Sequence, residues 1–199
     1  MARRAGLKRK QASSAPGRLR IVAGIWRSRV LGVADVEGLR PTSERIRETL
    51  FNWLTPEIAG RRCLDLFAGT GALGLEALSR GAKETVFVER SRRAVAALRE
   101  NVEQLDATGA TIHEGDARAF LAAEDGAFDV VFLDPPFADE NLSELCRLLD
   151  EHGVPAPGAR VYLEQARSDE DPELPAGWRI SKDKTAGNVR YMLVETSGG

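Results

Sequence analysis

Apolar and polar residues follow each other along most of this chain in a pattern that predicts alternating strands and helices. Short apolar runs predict strands at residues 63–67, 85–88, 110–113, 128–133 and 160–164. Between them, apolar residues recur at helical spacing over residues 72–80, 91–105, 117–123 and 142–149. Repeated strand–helix–strand units predict an α/β fold in which a doubly wound, mostly parallel sheet carries helices on both faces.

Further elements are predicted on both sides of this alternating region. Residues 19–23 and 29–33 predict a short hairpin, and residues 41–44 have the proline, hydroxyl and acidic side chains of a helix start. After the region, residues 178–181 and 189–195 predict a closing antiparallel pair.

The length of 199 residues suits one α/β domain with a substantial core. Residues 1–17 are basic, lack periodicity and end in Pro-Gly, which predicts a disordered tail. We therefore predict one folded domain over residues 18–199, with the hairpin as an extension at residues 18–40.

The net charge of −2 conceals an uneven distribution of charge. Residues 1–30 carry nine basic and no acidic side chains, whereas the rest of the chain carries 19 basic and 30 acidic ones. A basic arm on an acidic body is typical of nucleic-acid binding, although a solvated tail is an alternative for residues 1–16. We predict that the hairpin contacts nucleic acid through Arg18, Arg20, Trp26, Arg27 and Arg29.

Several classes of protein are excluded by what the sequence lacks. No apolar run approaches the roughly 18 residues of a membrane helix, and the basic N-terminus lacks the apolar segment of a secretory signal. Cys63 and Cys146 lie in apolar contexts without Cys-x-x-Cys spacing, which predicts reduced core thiols in a cytoplasmic protein. His113 and His152 are isolated from other metal ligands, so no metal site is predicted.

A glycine-rich turn follows the first strand of the alternating region. Gly69, Gly71 and Gly74 form G-x-G-x-x-G, which permits a sharp turn and exposes a helix N-terminus to a ligand. The turn alone is compatible with S-adenosylmethionine, with a dinucleotide or with a purely structural role. Asp65 suits a ligand ammonium and would repel a pyrophosphate, and Glu89 suits the two hydroxyls of a ribose. Together these carboxylates favour S-adenosylmethionine.

Two more polar signals follow the next strands. Asp116 suits an adenine amine or, as a compatible alternative, the N-cap of the following helix. Asp134-Pro135-Pro136-Phe137 contains a rigid turn that can aim the Asp134 carboxylate and the Pro135 carbonyl at one point. Phe137 offers a ring for stacking, so the segment suits an exocyclic amine on a planar base. A plain Pro-Pro loop is the alternative interpretation.

The positions of these signals indicate a single site. Gly69, Glu89, Asp116 and Asp134 each follow a different predicted strand. Because the carboxyl ends of parallel strands line the ligand crevice of an open α/β sheet, we expect these residues to converge at one edge.

With these motifs the chain resembles the 16S rRNA guanine-N2 methyltransferases of the RsmD type. The resemblance runs from about residue 18 to 196 and is carried by residues 20–29, 39–54, 63–81 and 134–137. The glycine loop and Asp-Pro-Pro-Phe recur in many amino methyltransferases. The Gly-x-Trp-Arg of residues 24–27 and the Arg-Pro-Thr of residues 40–42 are narrower and point to this family.

The resemblance implies a Rossmann-like class I S-adenosylmethionine-dependent methyltransferase, with strand order 3-2-1-4-5-7-6 and an antiparallel last strand. It also implies that the substrate is a guanine of 16S rRNA in assembling small ribosomal subunits. The predicted catalytic residues are Asp134, Pro135 and Phe137. The predicted cofactor-binding residues are Asp65, Phe67, Gly69, Thr70, Gly71, Gly74, Glu89, Asp116, Ala117, Arg40 and Thr42.

Three alternatives share part of this pattern. A DNA adenine or cytosine amino methyltransferase would share both motifs but usually needs a separate target-recognition region, for which little chain is left. A protein glutamine methyltransferase usually has Asn where this chain has Asp134. A non-catalytic RNA-binding assembly factor would be expected to lose Asp65, Glu89 and Asp134, all of which are present.

Overall fold

A computed structural model describes residues 17–34, 36, 42–124, 126–136 and 141–198. The predictions for the tail up to residue 16, for Arg40 and for Phe137 lie outside the described residues.

The described residues form strands and helices in nearly the predicted order. The strands are β1 (Arg18–Arg20), β2 (Val30–Gly32), β3 (Arg62–Asp65), β4 (Glu84–Glu89), β5 (Ala110–Glu114), β6 (Phe128–Leu133), β7 (Pro155–Ala166), β8 (Arg179–Ala186) and β9 (Val189–Glu195). The helices are α1 (Glu44–Leu54), α2 (Ala72–Ser79), α3 (Arg92–Leu105), α4 (Ala117–Ala123) and α5 (Leu142–Glu151).

The strands belong to two sheets. The first is the antiparallel hairpin of β1 and β2, with Leu19 opposite Leu31. The second has seven strands in the order β5-β4-β3-β6-β7-β9-β8, in which β9 runs antiparallel to the other six strands. Numbered within this sheet, the order is 3-2-1-4-5-7-6, which confirms the order and the antiparallel last strand that the resemblance implied.

The central strands are apolar because both of their faces are covered. On β6, Val130 and Phe132 pack with residues of α1 and α2, whereas Val131 and Leu133 pack with residues of α4 and α5. This two-sided burial explains the continuous apolar run that the sequence shows at β6. Cys63 and Cys146 are free thiols in the core, as predicted.

Two strands are longer than their apolar patterns predicted. β7 begins at Pro155 rather than at residue 160, and β8 continues to Ala186 rather than ending at residue 181. β8 is an edge strand with almost entirely exposed side chains, so its pairing with β9 maintains it without an apolar pattern. No helix in the described part of the chain combines the length and apolarity needed to cross a membrane.

Candidate active site

Four carboxyl side chains lie at the carboxyl ends of four neighbouring parallel strands. Asp65 ends β3, Glu89 ends β4, Asp134 follows β6 directly, and Glu164 lies near the end of β7. Strand side chains alternate between the two faces, so each carboxyl shares a face with the residue two positions before it. Those residues pack on the side of α1, α2 and α3: Cys63, Phe87, Phe132 and Tyr162. The four carboxyls therefore share one edge and one face of the sheet.

The glycine loop turns sharply before α2 and packs closely on the sheet. Gly69 and Gly71 have φ angles of +53° and +81°, which residues other than glycine rarely adopt. A Cβ at Gly74 would lie 2.2 Å from the Phe87 ring, so only glycine lets α2 approach β4 this closely. The loop thus makes the sharp turn that the motif predicted, and Gly74 allows α2 to pack closely against β4.

Asp65 is buried beneath the glycine loop. Its Oδ2 atom accepts a hydrogen bond from the Gly74 N–H at 2.9 Å, which joins β3 to the first turn of α2. Burial raises the pKa of Asp65 to about 7, the Gly74 N–H opposes this rise, and the nearby charges of Asp134 and Glu89 add to it. A cation beside Asp65 would lower this raised pKa by stabilising the charged carboxylate, which agrees with the predicted role toward an ammonium.

Glu89 connects the glycine loop to the beginning of α3. Its Oε2 atom accepts from the Gly69 N–H at 2.9 Å, and its Oε1 atom accepts from the Ser91 N–H at 2.6 Å. Each carboxylate oxygen has a second lone pair, so these bonds leave capacity for ribose hydroxyls. Glu89 is only partly buried, which suits this predicted role.

Four other described residues that were predicted to bind the cofactor lie between β3 and α2 or at the start of α4. Asp116 is the N-cap of α4, because its Oδ1 atom accepts from the N–H groups of Arg118 and Ala119 at 2.9 and 3.0 Å. Its compatible role toward an adenine amine stays a prediction. Ala117 and Thr70 are buried, whereas Phe67 is partly exposed beside the core.

Thr42 contacts Asp134 directly. The Thr42 hydroxyl donates a hydrogen bond of 2.7 Å to Asp134 Oδ2, which links the segment before α1 to the end of β6. Burial raises the pKa of Asp134 to about 6, and the Thr42 bond opposes that rise because it stabilises the charged form. Thr42, predicted as a cofactor contact, thus positions the predicted catalytic carboxylate. Pro135 is buried at the same turn.

Tyr162 and Glu164 form a buried pair beside Asp134 that the sequence analysis missed. The Tyr162 hydroxyl donates a 2.6 Å hydrogen bond to Glu164 Oε2, and both side chains are 5% exposed or less. Burial raises the pKa of Glu164 to about 8, with a further contribution from the charge of Asp134. The available signal was an acidic residue at the predicted end of an apolar strand, the same signal that identified Glu89.

A buried ion pair that no sequence motif had indicated joins the hairpin to the site. Arg47, 1% exposed, donates through Nη1 to Glu76 at 3.0 Å, through Nη2 to the Arg20 carbonyl at 2.8 Å and through Nε to the Thr42 carbonyl at 3.1 Å. Glu76 also accepts from the Val22 N–H at 2.8 Å. Arg47 therefore holds together β1, α2 and the segment that carries Thr42.

The hairpin presents the predicted arginines to solvent. The exposed members of the predicted set are Arg18, Arg20, Arg27 and Arg29. Trp26 differs, because its side chain packs against the core and its backbone N–H donates to Ser79 Oγ at 3.0 Å. Gly24 brings the turn against α2, where a Cβ would lie 1.8 Å from the Ser79 carbonyl oxygen. The hairpin thus packs firmly on the domain, and four of its arginine side chains are exposed to solvent.

Comparison with known proteins identifies similar chains over almost the whole length. Ribosomal RNA small subunit methyltransferase D of Escherichia coli K12 is 43% identical over 187 residues, which cover 94% of each chain. Its namesake from Haemophilus influenzae is 42% identical over 193 residues, covering 95% of this chain and 100% of the relative.

Solved structures agree with these sequence comparisons. The structure of yhhF from Escherichia coli superposes with a TM-score of 0.85 at 41% identity, covering 92% of this chain and 100% of the other. A hypothetical protein of Thermus thermophilus gives a TM-score of 0.75 at 32% identity, covering 89% and 99%. The family described as Conserved hypothetical protein 95 matches residues 19–195. The chain therefore belongs to this family, that of the ribosomal RNA small subunit methyltransferases D, which confirms the resemblance.

Proposed function

We propose that this protein transfers a methyl group from S-adenosylmethionine to the N2 amine of a guanine in 16S rRNA. The observation that carries the proposal is the Asp134 carboxylate, which Thr42 holds at the crevice edge beside the glycine loop. A half-buried carboxylate followed by a rigid Pro-Pro turn suits an exocyclic amine as hydrogen-bond donor. The names of the curated relatives support small-subunit rRNA as the substrate.

The residues around the glycine loop fit S-adenosylmethionine. This cofactor carries an ammonium, and when bound it supplies a methyl group on a positively charged sulfur. The raised pKa of Asp65 arises from burial and from neighbouring carboxylates, so a cation is favoured there and a pyrophosphate is repelled. The N–H groups at the start of α2 suit the carboxylate of the amino-acid moiety, and Glu89 suits the ribose.

Asp134 has two tasks in the proposed reaction. A guanine amine is a weak nucleophile because its lone pair is delocalised into the ring. By accepting a hydrogen bond from the amine, Asp134 favours a more tetrahedral nitrogen and orients its lone pair. As the N–C bond forms and the methyl–sulfur bond breaks, the nitrogen loses a proton, and Asp134 accepts it. The Pro135 carbonyl accepts from the second N–H, and Phe137 stacks on the base.

We propose that the exposed hairpin arginines contact phosphates of the RNA backbone. Since the base must leave its stack to reach Asp134, the RNA backbone has to be held while the target guanine is turned out. We propose that the substrate is an assembling small subunit in the cytoplasm.

Replacing Asp134 with Asn tests the proposed function. We expect Asp134→Asn to bind S-adenosylmethionine as the parent does but to lose about 10²–10³ in methyl-transfer rate, by analogy with a lost oxyanion-hole donor. Calorimetry with the cofactor and single-turnover transfer to small subunits measure the two effects.

The matched control is Asp129→Asn, at the opposite end of β6, where Asp129 accepts from the Arg62 N–H outside the crevice. This control should retain normal transfer. Normal transfer by Asp134→Asn would contradict the proposed role of Asp134.

A further inference from the structure

Asp134 and Glu164 are held in the same manner on neighbouring strands. Thr42 donates to Oδ2 of Asp134, and Tyr162 donates to Oε2 of Glu164. The second oxygen of each carboxyl, Oδ1 and Oε1, accepts no hydrogen bond from any residue that the structure describes. Each side chain is therefore fixed through one oxygen and keeps the other available.

The strand register brings these two carboxyl groups close together, and the charge of Asp134 acts on Glu164. Leu133 of β6 pairs with Leu163 of β7, so Asp134 and Glu164 follow a matched pair on the same face. Neighbouring strands are about 4.8 Å apart, close enough for both carboxyls to meet one edge of a single base. Of these two carboxyls the proposed mechanism uses only Asp134, and it gives the buried Glu164 no role.

Guanine presents two adjacent kinds of donor on its Watson–Crick edge, the N2 amine and the N1–H. Adenine and 2,6-diaminopurine have an unprotonated N1, which is an acceptor. A carboxylate facing N1 therefore pairs with guanine and repels either of the other two bases. Flipped bases are read by hydrogen bonds to this edge.

We propose that Glu164 accepts the N1–H of the target guanine while Asp134 binds its N2 amine, so that Glu164 selects guanine over purines with an unprotonated N1. The inference rests on the proposed function and adds to it the residue that determines base specificity. Tyr162 is the positioning residue, because its hydroxyl keeps Oε2 occupied and leaves Oε1 for the base.

The charge state of Glu164 fits this role. Its pKa is raised to about 8 by burial and by Asp134, so the carboxyl needs a donor to become ionised near neutral pH. The guanine N1–H is such a donor, because a hydrogen bond to the charged form favours that form. Rates are best compared above pH 8, where the carboxylate predominates.

The test compares two bases at one nucleotide. Once product mapping has identified the methylated position, 16S rRNA is assembled by ligation with either guanine or 2,6-diaminopurine there and incorporated into small subunits. Both bases carry the N2 amine, but only guanine has N1–H. We expect the parent protein to prefer guanine by roughly 10–100-fold, the discrimination of one well-formed base contact.

Glu164→Gln should reduce this preference to within a few-fold, because the amide can donate to the N1 of diaminopurine. Its carbonyl can still accept from Tyr162, so the local fold is retained. The ratio of rates on the two bases is independent of the folded fraction of the preparation. Tyr162→Phe should give an intermediate ratio, and Glu195→Gln, at the opposite edge where Glu195 pairs with Arg160, should keep the parent ratio.

The possible results separate the two proposals. A parent preference that persists in both Glu164→Gln and Tyr162→Phe would overturn the assignment of Glu164, and so would a parent protein without preference. A parent protein that transfers no methyl group to guanine would instead contradict the proposed function itself.

Discussion

At the scale of single residues, the site depends on how a carboxylate is kept charged in a partly apolar setting. Burial raises the pKa of Asp134 to about 6, and the hydroxyl of Thr42 counteracts this through a 2.7 Å hydrogen bond. A general base must be deprotonated to accept a proton, so Thr42 extends the activity of Asp134 toward lower pH.

Thr42→Val removes the hydroxyl and retains the shape of the side chain. The pKa of Asp134 should then rise above about 6, since a bond that favours the charged form is removed. We expect the acid limb of the pH profile of kcat/KM to move to higher pH.

Thr49→Val is the matched control, because the Thr49 hydroxyl donates only to the Arg45 carbonyl within α1. An acid limb that stays in place in Thr42→Val would show that Thr42 does not act through Asp134.

The roles of individual residues were predictable when a motif defined them. Asp65 and Asp134 were identified because each lies at a strand end before a glycine or proline turn, and Glu89 because it ends a strand 20 residues after Gly69. Glu164 has no such motif, and its importance follows from the register of β6 and β7, which a single sequence does not contain. For the same reason the contact between Thr42 and Asp134, 92 positions apart, was not foreseen.

At the scale of elements, the hairpin is attached to the domain by a buried ion pair. Arg47 and Glu76 are 1% and 0% exposed and lie 3.0 Å apart, and together they also bond backbone groups of β1 and of the following turn. Removing one partner of a buried pair leaves an uncompensated charge, which is far costlier than losing an exposed pair.

Arg47→Met should lower the free energy of unfolding by about 3–5 kcal/mol, because the buried Glu76 keeps only Arg80 as a charged partner and the carbonyls of Arg20 and Thr42 lose their donor. Arg147→Met is the control, since Arg147 forms an exposed pair with Glu151 one helical turn away and should cost only about 0–1 kcal/mol. Denaturant titration measures both variants. Equal losses would indicate that the buried pair has no special structural role.

The hairpin arginines should set the salt dependence of RNA binding. Arg27→Gln combined with Arg29→Gln should weaken binding and reduce the slope of log affinity against log salt by about 0.7–0.9 for each phosphate that is no longer neutralised. Arg147→Gln is the control, because Arg147 belongs to α5, which covers the opposite face of the sheet from the hairpin. Filter binding over a range of salt concentrations gives the slopes, and an unchanged slope would exclude the hairpin as an RNA-binding element.

Element boundaries were predictable where burial produced a pattern. The bounds of α4 and β6 match their predictions, because both are well marked by apolar residues and by polar flanks. The length of β8 was underestimated because its side chains face solvent, and only the pairing of β8 with β9 shows where the strand ends.

At the scale of the whole molecule, the carboxyl-rich edge should make stability depend on pH. Burial raises the pKa values of Asp65, Asp134 and Glu164 to about 7, 6 and 8, from ordinary values of 3.8, 3.8 and 4.5. At pH values between the ordinary and the raised pKa values, the folded protein binds more protons than the unfolded chain does. The free energy of unfolding should therefore fall as the pH rises from about 4.5 to 8.

Denaturant unfolding at several pH values between about 5 and 8 measures this slope. Glu164→Gln should make the slope shallower, whereas Glu195→Gln, which lies among arginines at the other edge, should leave it unchanged. Hydrogen bonds from Arg118 and Arg190 lower the pKa values of Glu144 and Asp171, so these two groups titrate below this range. A stability that increases with pH would contradict the electrostatic account of the site.

The fold class followed from periodicity, but the strand order did not. Alternating apolar runs predict a doubly wound parallel sheet, whereas the order 3-2-1-4-5-7-6 was implied by the family resemblance. Strand pairing depends on contacts between distant segments, such as β3 with β6, which local patterns do not encode.

The most direct test of the central claim is the chemical identity of the product. Methyl groups labelled with tritium are transferred from S-adenosylmethionine to small subunits of cells that lack the enzyme, and the digested RNA is separated into nucleosides. We expect the label in N2-methylguanosine. Label in N6-methyladenosine or in protein would contradict the assignment of the substrate, and cofactor binding without label in any acceptor would favour a non-catalytic assembly factor.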